Sequence, residues 1–583
     1  MLAPFQSSTR RKFENSALAG KAALIATPLR KRVGFLASFV RAGEQGTFVM
    51  NTRDRSRDGI RNRLEYHFLS RYRPFWQVAQ RVPRMERLTN RLIVKSLMSK
   101  TPPRPYPHSC STNYPTWNGL TDQTWYSRHL PVQSTAELPE DKAVLELFAE
   151  PKEGSRTTSN STYLFPSFAQ WFTDGFLLTD KNDGRRTFSS HQIDLNQVYG
   201  NSEAQTHALR TMSSKVTERG QLKTFLQNGE AFAPFLFLPD GTKDPAFAVL
   251  PEPERFDYFA SPEGVRTMFA FGGERANISP NVAMVNTLFI REHNRLAQIL
   301  VSKNAGWSDD RVFETARLIN IALLIKIVVA EYINHISPYH FQLLGDGTVA
   351  AQANWNRPNW IPVEFNVLYR WHSLVPETLD WGGQTLATKS MLLNNQPLLS
   401  HGLARSFEIV SAQPARQMGL FNTVDFLLPV ELATIRLARS NELASYNDYR
   451  QIMSYPRVTR FEQISSNPKI VSALRNLYGH VDRIELYPGL FAEDHRPRSA
   501  VPSLLGRMVA IDAFSHALTN PILAPNVFNT DTFTHEGMQI IERTSTLRDL
   551  VLRNCSNSDL NLPITMDRQI TSAPGVAKNI LLS

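Results

Sequence analysis

Between Pro280 and Pro338 the chain carries two long runs whose apolar residues recur at helical spacing, and the second of them leaves little choice of fold. In the first run Met284, Leu288, Leu296, Ile299 and Leu300 mark the buried face of a helix that Gly306 closes. Ser308 then offers a hydroxyl to free helix amides, while Asp309 and Asp310 face the positive end of the dipole. A second helix is therefore expected from Arg311 to about Asn334, ended by Pro338. Its middle, LINIALLIKIVVA, is apolar nearly all round, and such a helix is stable only when other elements surround it. Lys326 interrupts the apolar run, which is too short to span a bilayer. The chain must build a large helical body around this segment, and its 583 residues suffice for one.

The rest of the chain is compatible with one such body. Residues 161–180 (STYLFPSFAQWFTDGFLLTD) form another apolar helical pattern. Residues 181–270, rich in Pro, Gly and Asn, predict short strands and irregular coil. From 364 to about 520 helical patterns alternate with loops, and no compositional break divides residues 101–560. The fold class expected is mainly α, a large single domain with little β. A basic tail (1–58) and amphipathic helices (59–100) precede it, and a polar tail (561–583) follows.

The net charge of +11 is front-loaded: residues 1–49 hold eight Lys/Arg against Glu14 and Glu44. That distribution suits an anchor or targeting segment better than a nucleic-acid surface, so no nucleic-acid partner is expected. Residues 59–100 mix Arg and Lys with Phe, Trp, Leu and Ile, as a helix lying among lipid headgroups would. The alternative is an amphipathic face packed on the body of the protein. Two cysteines, Cys110 and Cys555, exclude a disulfide framework. An intracellular protein, peripheral to a membrane, is expected.

The chemistry is concentrated in EFNVLYRWH, residues 364–372. Tyr369 precedes His372 by three residues, and on one turn of helix the phenol and imidazole would share a face. An imidazole that ligates haem iron through one ring nitrogen would hold the phenol close enough to the porphyrin to be oxidised. Taken alone the two residues also fit an ordinary packed core. Phosphate loops, nucleophile elbows, zinc helices and CxxC pairs are absent.

Arg275-Ala276-Asn277-Ile278-Ser279-Pro280 and Thr287-Leu288-Phe289-Ile290-Arg291-Glu292-His293-Asn294-Arg295-Leu296 resemble the signature of the animal haem peroxidases. Within that superfamily the chain is most similar to the cyclooxygenases and related fatty-acid oxygenases. The segments that carry this likeness are DLNQVYG (194–200), the run GWSDDR to SPYHF, EFNVLYRWH, ELYPGL (485–490) and Asn520-Pro521-Ile522. The disulfide-rich module that precedes the animal enzymes is missing.

The resemblance implies that His372 is the proximal iron ligand, Tyr369 the radical-forming tyrosine, Tyr332 its hydrogen-bond partner and Trp371 the residue between phenol and ligand. On the distal side it implies Gln170 and Arg275, with Asp174 where the family has a histidine. A carboxylate replaces a group titrating near neutrality, so peroxide cleavage should be weak. Thr173 and Ile278 stand where mammalian relatives carry acids esterified to the haem, which implies non-covalent haem b. Lys95 falls at the channel-mouth cation, with Tyr339 its partner and Arg91 one turn earlier. A solvated helix charge is the alternative for Lys95. Phe365 and Leu368 match channel-lining positions, and Ala513 stands at the serine that aspirin acetylates in the animal enzymes.

The function expected from the resemblance is a haem-dependent fatty acid dioxygenase that adds O2 to an unsaturated fatty acid, with a homodimer also implied. Two other readings stay open: a peroxidase acting on small reductants or halides, and a degenerate haem-binding protein. Attack next to the carboxylate is a variant of the first.

Overall fold

The computed structural model describes residues 60–98, 109–133, 137–151, 157–175, 177–253, 261–350, 353, 360–555 and 564–568. The basic tail, 1–58, lies outside them. The described residues are chiefly helical, and their strands form three two-stranded antiparallel ribbons. This matches the expectation of a mainly α fold with little β.

Three helices come first: α1 (Ile60–Arg71), α2 (Arg73–Ala79) and α3 (Pro83–Met98). Only part of their surface is buried. Trp76, Val94 and Met98 are packed inward, whereas Tyr72, Phe75, Val78, Val82, Met85, Leu88 and Leu92 are exposed among Arg73, Arg81, Arg84, Arg87 and Arg91. The polar-and-apolar pattern of residues 59–100 is thus not consumed by packing on the body.

Strand β1 (Thr158–Thr162) leads into α4 (Leu164–Asp174). The two helices read from residues 280–337 are α5 (Pro280–Lys303) and α6 (Asp309–Ile327). Ser308 caps α6 as expected, its Oγ accepting from the Arg311 amide at 3.2 Å. α5 and α6 pack on each other, and α5 also contacts α4. Past Ile327 the helix widens into a π-helical stretch, Val328–Ile333, before a last α turn, Asn334–Ile336. A local change in hydrogen-bond register of this kind is invisible to hydrophobic periodicity, and it re-aims Tyr332.

Further on come α7 (Phe365–Leu368), α8 (Leu403–Ala412), β2 (Pro414–Arg416), α9 (Leu428–Ser440), α10 (Leu486–Ala492), α11 (Ser503–Leu518), α12 (Thr530–Arg543) and α13 (Leu547–Asn554). β2 pairs with β1. α11 packs against α3, α7 and the π-helical stretch, and so runs beside Tyr369 and Tyr332 together. Lys326, the charge that interrupts the apolar run, is buried, and its Nζ donates to the carbonyls of Ile541 (2.6 Å) and Glu542 (2.5 Å) at the end of α12. A cation there satisfies helix C-terminal acceptors, and burial brings its pKa down to about 8.

The residues of the signature on α5 form a buried polar network. Both oxygens of Glu292 accept from Arg295 and Arg553, and Oε2 also accepts from Asn554. His293 Nε2 donates to the Gly220 carbonyl at 2.8 Å, and Nδ1 accepts from Tyr199 at 2.9 Å. The tail is shorter than composition indicates. Ile564 and Met566 are buried, and the Thr162 amide donates to the Met566 carbonyl at 2.9 Å, so residues 564–568 extend the β1 edge.

Candidate active site

The backbone leaves the α-helix at the chemistry. α7 ends at Leu368, Tyr369 takes φ −104° and ψ 22°, and a 3-10 turn begins at His372. Trp371 closes the break by donating from Nε1 to the Leu368 carbonyl at 2.6 Å. Tyr369 and His372 therefore do not share a face of one continuous helix, contrary to the expectation from their spacing. The irregular Tyr369–Trp371 stretch sends the phenol and the imidazole to different neighbours.

The Tyr369 ring lies between Phe365 (centroids 4.5 Å apart) and Trp371 (5.0 Å, 26° between planes). Tyr332 comes from the π-helical stretch into a cage of Phe165 (5.7 Å), Phe168 (5.4 Å) and Phe172 (5.9 Å) on α4, with Trp371 at 6.4 Å. Leu368 is fully buried beside them. The two hydroxyls act on each other's acidity, and neither has another hydrogen-bond partner among the described residues. Burial pushes both phenols well above their ordinary value; Tyr369 adds to this for Tyr332, and Asp512 adds to it for Tyr369. Asp512, on α11, is fully buried with one oxygen 3.1 Å from His129 Nε2.

His372 is partly exposed between buried Trp371 and Ser373. Its Nδ1 is 3.2 Å from Oε2 of Glu431 on α9, an ion-pair distance that falls outside hydrogen-bond alignment. Gln170 is the one exposed residue of α4, a helix whose other residues are buried. Phe165 of the same helix packs its ring 5.4 Å from Trp371, which holds α4 against the His372 turn. An imidazole able to ligate a metal, a helix with one open position packed beside it and two buried phenols nearby fit a haem. His372 would hold its iron through the imidazole.

Asp174 is paired with Arg275, Nη1 to Oδ1 3.2 Å, and an ionised carboxylate accepts hydrogen bonds without donating any. Thr173 turns its hydroxyl back to the Ala169 carbonyl at 2.8 Å, and Ile278 carries no ester-forming group.

The channel-mouth pair read from the resemblance is not assembled. Lys95 is exposed on α3, as is Arg91. Tyr339 instead donates to Glu65 Oε1 at 3.3 Å. The cations acting on its phenol are Arg507 and Arg496. Arg507 belongs to α11 and is 8% exposed; burial opposes its charge, while Tyr455, Tyr339 and Glu65 restore it. The helix face that Lys95 occupies looks outward, because Val94 and Met98 take the inward positions of α3. Ala513 lies on α11, buried, six residues after Arg507.

Glu431, Asp512, His129 and Arg507 were not singled out from the sequence. For two of them a signal existed. Arg507 and Asp512 are charged residues within an otherwise apolar helix, LLGRMVAIDAFSHAL, that is buried nearly all round. Glu431 reads locally as an acid in the first turn of a helix, where it would merely complement the dipole.

The prostaglandin G/H synthase 2 of Mus musculus is 30% identical over 506 residues, which cover 84% of this chain and 80% of that protein. Among solved structures, the fatty acid alpha-dioxygenase of Arabidopsis thaliana aligns at TM-score 0.62 and 15% identity, over 89% of this chain and 98% of its own. The fatty acid alpha-dioxygenase of Oryza sativa aligns at 0.59 and 17% identity, over 74% of this chain and 80% of its own. At those identities the two structures speak for the fold alone. Residues 179–566, more than half of the chain, match the animal haem peroxidase family, whose members bind haem, and the protein belongs to that family of oxidoreductases.

Proposed function

We propose that the protein is a fatty acid oxygenase in which Tyr369, oxidised to a radical, takes a hydrogen atom from an unsaturated chain so that O2 adds to the carbon radical. The observation that carries this reading is the Tyr369–Tyr332 pair: two buried phenols, ring-packed on every side named above, with hydroxyls committed to no other partner. A structural tyrosine in a core ordinarily has its hydroxyl satisfied. Haem b, held non-covalently by His372 with Trp371 alongside, would supply the one-electron oxidant after reaction with a peroxide. Tyr369 gives up an electron and its proton, recovers a hydrogen atom from the substrate C–H, and later returns one to the peroxyl product. Trp371, stacked on Tyr369, bridges phenol and ligand, and Phe365 and Leu368 wall the substrate side.

The charges favour an internal carbon over the one next to the carboxylate. Among the described residues, the charged group acting on Tyr369 is an acid, Asp512, which disfavours a substrate carboxylate at that end. Arg507 and Arg496 act on Tyr339 from α11 and the loop before it, and a substrate carboxylate there would take the place that Glu65 now holds on the Tyr339 hydroxyl. The ion-paired Asp174 favours slow peroxide cleavage and start-up by lipid hydroperoxide. The exposed apolar and arginine side chains of α2 and α3 support docking on a membrane surface. No helix among the described residues is long and apolar enough to cross a membrane.

The test is oxygen uptake by haem-reconstituted protein given linoleate, arachidonate, oleate or palmitate, with and without a trace of lipid hydroperoxide, followed by product analysis. Uptake with unsaturated chains and a mid-chain hydroperoxide or endoperoxide supports the proposal. A 2-hydroperoxy product would overturn the assignment of the two ends. Haem retention without uptake of oxygen from any of the four would overturn oxygenation itself.

A further inference from the structure

We propose that Glu431 is a positioning residue for the haem ligand: it holds the His372 ring with Nδ1–H toward its own carboxylate and Nε2 toward the iron, and Tyr487 moderates how strongly it does so. The inference rests on the reading of His372 as the iron ligand. Glu431 Oε2 lies 3.2 Å from His372 Nδ1. The carboxylate is 1% exposed and comes from α9, with no sequence proximity to the ligand. Its orientation is fixed from the other side. Thr423 donates to Oε1 at 2.9 Å, and the Tyr487 hydroxyl of α10 donates to Oε2.

A carboxylate can only accept, so the ring nitrogen that faces it must carry the hydrogen, and the lone pair is left on Nε2. A slight rotation of the imidazole brings the pair from its present distance into alignment. A neighbour of this kind raises the basicity of the ligand, and removing it costs about 10–100-fold in affinity or activity at metal sites generally. Oε2 is shared, however. The hydroxyl of Tyr487 draws on the same oxygen that His372 faces, and so weakens it as an acceptor. Two substitutions around one oxygen must then act with opposite sign.

Full-length protein reconstituted with haem is compared as wild type, Glu431→Gln, Glu431→Asp and Tyr487→Phe by the ferrous iron–histidine stretching frequency, the haem midpoint potential and haem affinity. Glu431→Gln should lower the stretching frequency, raise the potential and weaken haem binding about tenfold or more. Glu431→Asp should restore part of each. Tyr487→Phe should raise the frequency and lower the potential. Wild-type values in both Glu431→Gln and Tyr487→Phe would overturn the proposal and leave Glu431 as a buried partner only. Should Glu431→Gln fail to fold, the sign of the shift in Tyr487→Phe decides alone. His372→Gly with exogenous imidazole separates the two levels of the argument. If its spectrum matches wild type without imidazole, His372 is not the ligand and the Glu431 proposal falls with it.

Discussion

The signature network on α5 and the Tyr369–Tyr332 pair are equally deep in the molecule and opposite in how their polar atoms are used. Both oxygens of Glu292 and both nitrogens of His293 have partners, and these partners come from α13, from the 220 turn and from Tyr199. The hydroxyls of Tyr369 and Tyr332 act on each other and have no further partner among the described residues. A satisfied buried network rigidifies, whereas an unsatisfied buried group costs stability and persists where chemistry uses it. The most recognisable stretch of this sequence therefore holds the scaffold, and the reactive groups lie in a less conspicuous one.

The largest effect expected from breaking this contrast is on activity. Tyr369→Phe should abolish oxygen uptake with fatty acid while leaving the Soret band, and its thermal midpoint should stay close to wild type because the hydroxyl interacts with Tyr332 alone. A matched loss of haem or of folding would show that Tyr369 is structural. On the scaffold side, Glu292→Ala strands Arg295 and Arg553 around an empty position. It should cost about 3–5 kcal/mol in denaturant unfolding, the range for breaking a buried pair from one side. Burial opposes ionisation of Glu292, but the two arginines outweigh it and hold the carboxyl below its ordinary value.

A slightly smaller effect is expected from pH. Burial brings the His293 imidazole down to about 4 from 6.5. The unfolded chain binds this proton more readily, so the contribution is fully present above pH 6.5 and is lost as pH falls from 6.5 to 4. Its size is on the order of 3 kcal/mol. Unfolding midpoints measured across that window should fall more steeply for wild type than for His293→Gln; equal slopes would remove His293 from the account. The smallest effect belongs to Tyr332→Phe, which deletes a hydroxyl that meets only that of Tyr369 and should be near neutral in stability. Oxygenation should continue at a reduced rate, and a large loss of stability would mean that the hydroxyl is satisfied after all.

At the membrane-facing end, Leu88→Asp with Leu92→Asp should reduce co-flotation with anionic vesicles while leaving activity on dispersed substrate. Unchanged flotation would direct attention to other surfaces.

Much of the scaffold was legible because it is written in local pattern. The periodicity of residues 280–300, the Ser308 cap and the all-round apolar middle of α6 each depend on residues within a few turns of one another, and each appears as expected. The resemblance pointed to Tyr369, Tyr332 and His372, and the aromatic packing brings those three segments together. The face on which a channel-mouth cation lies is not fixed by its place in the sequence. Lys95 sits at the right distance from Pro102 in sequence, but the side of α3 it occupies is set by which residues Val94 and Met98 pack against, and that is decided by α11.

What the sequence by itself determined is the helical body, its two central helices and the family to which they belong, since hydrophobic period, caps and signature residues act over short distances along the chain. The tertiary structure alone decided that the helix stops at Leu368 so that phenol and imidazole part, that a π-helical turn aims Tyr332 inward, and that Glu431 reaches His372 from 59 residues further along (372 to 431). Those contacts depend on how separate helices pack, and no local pattern encodes the neighbour that packing will supply.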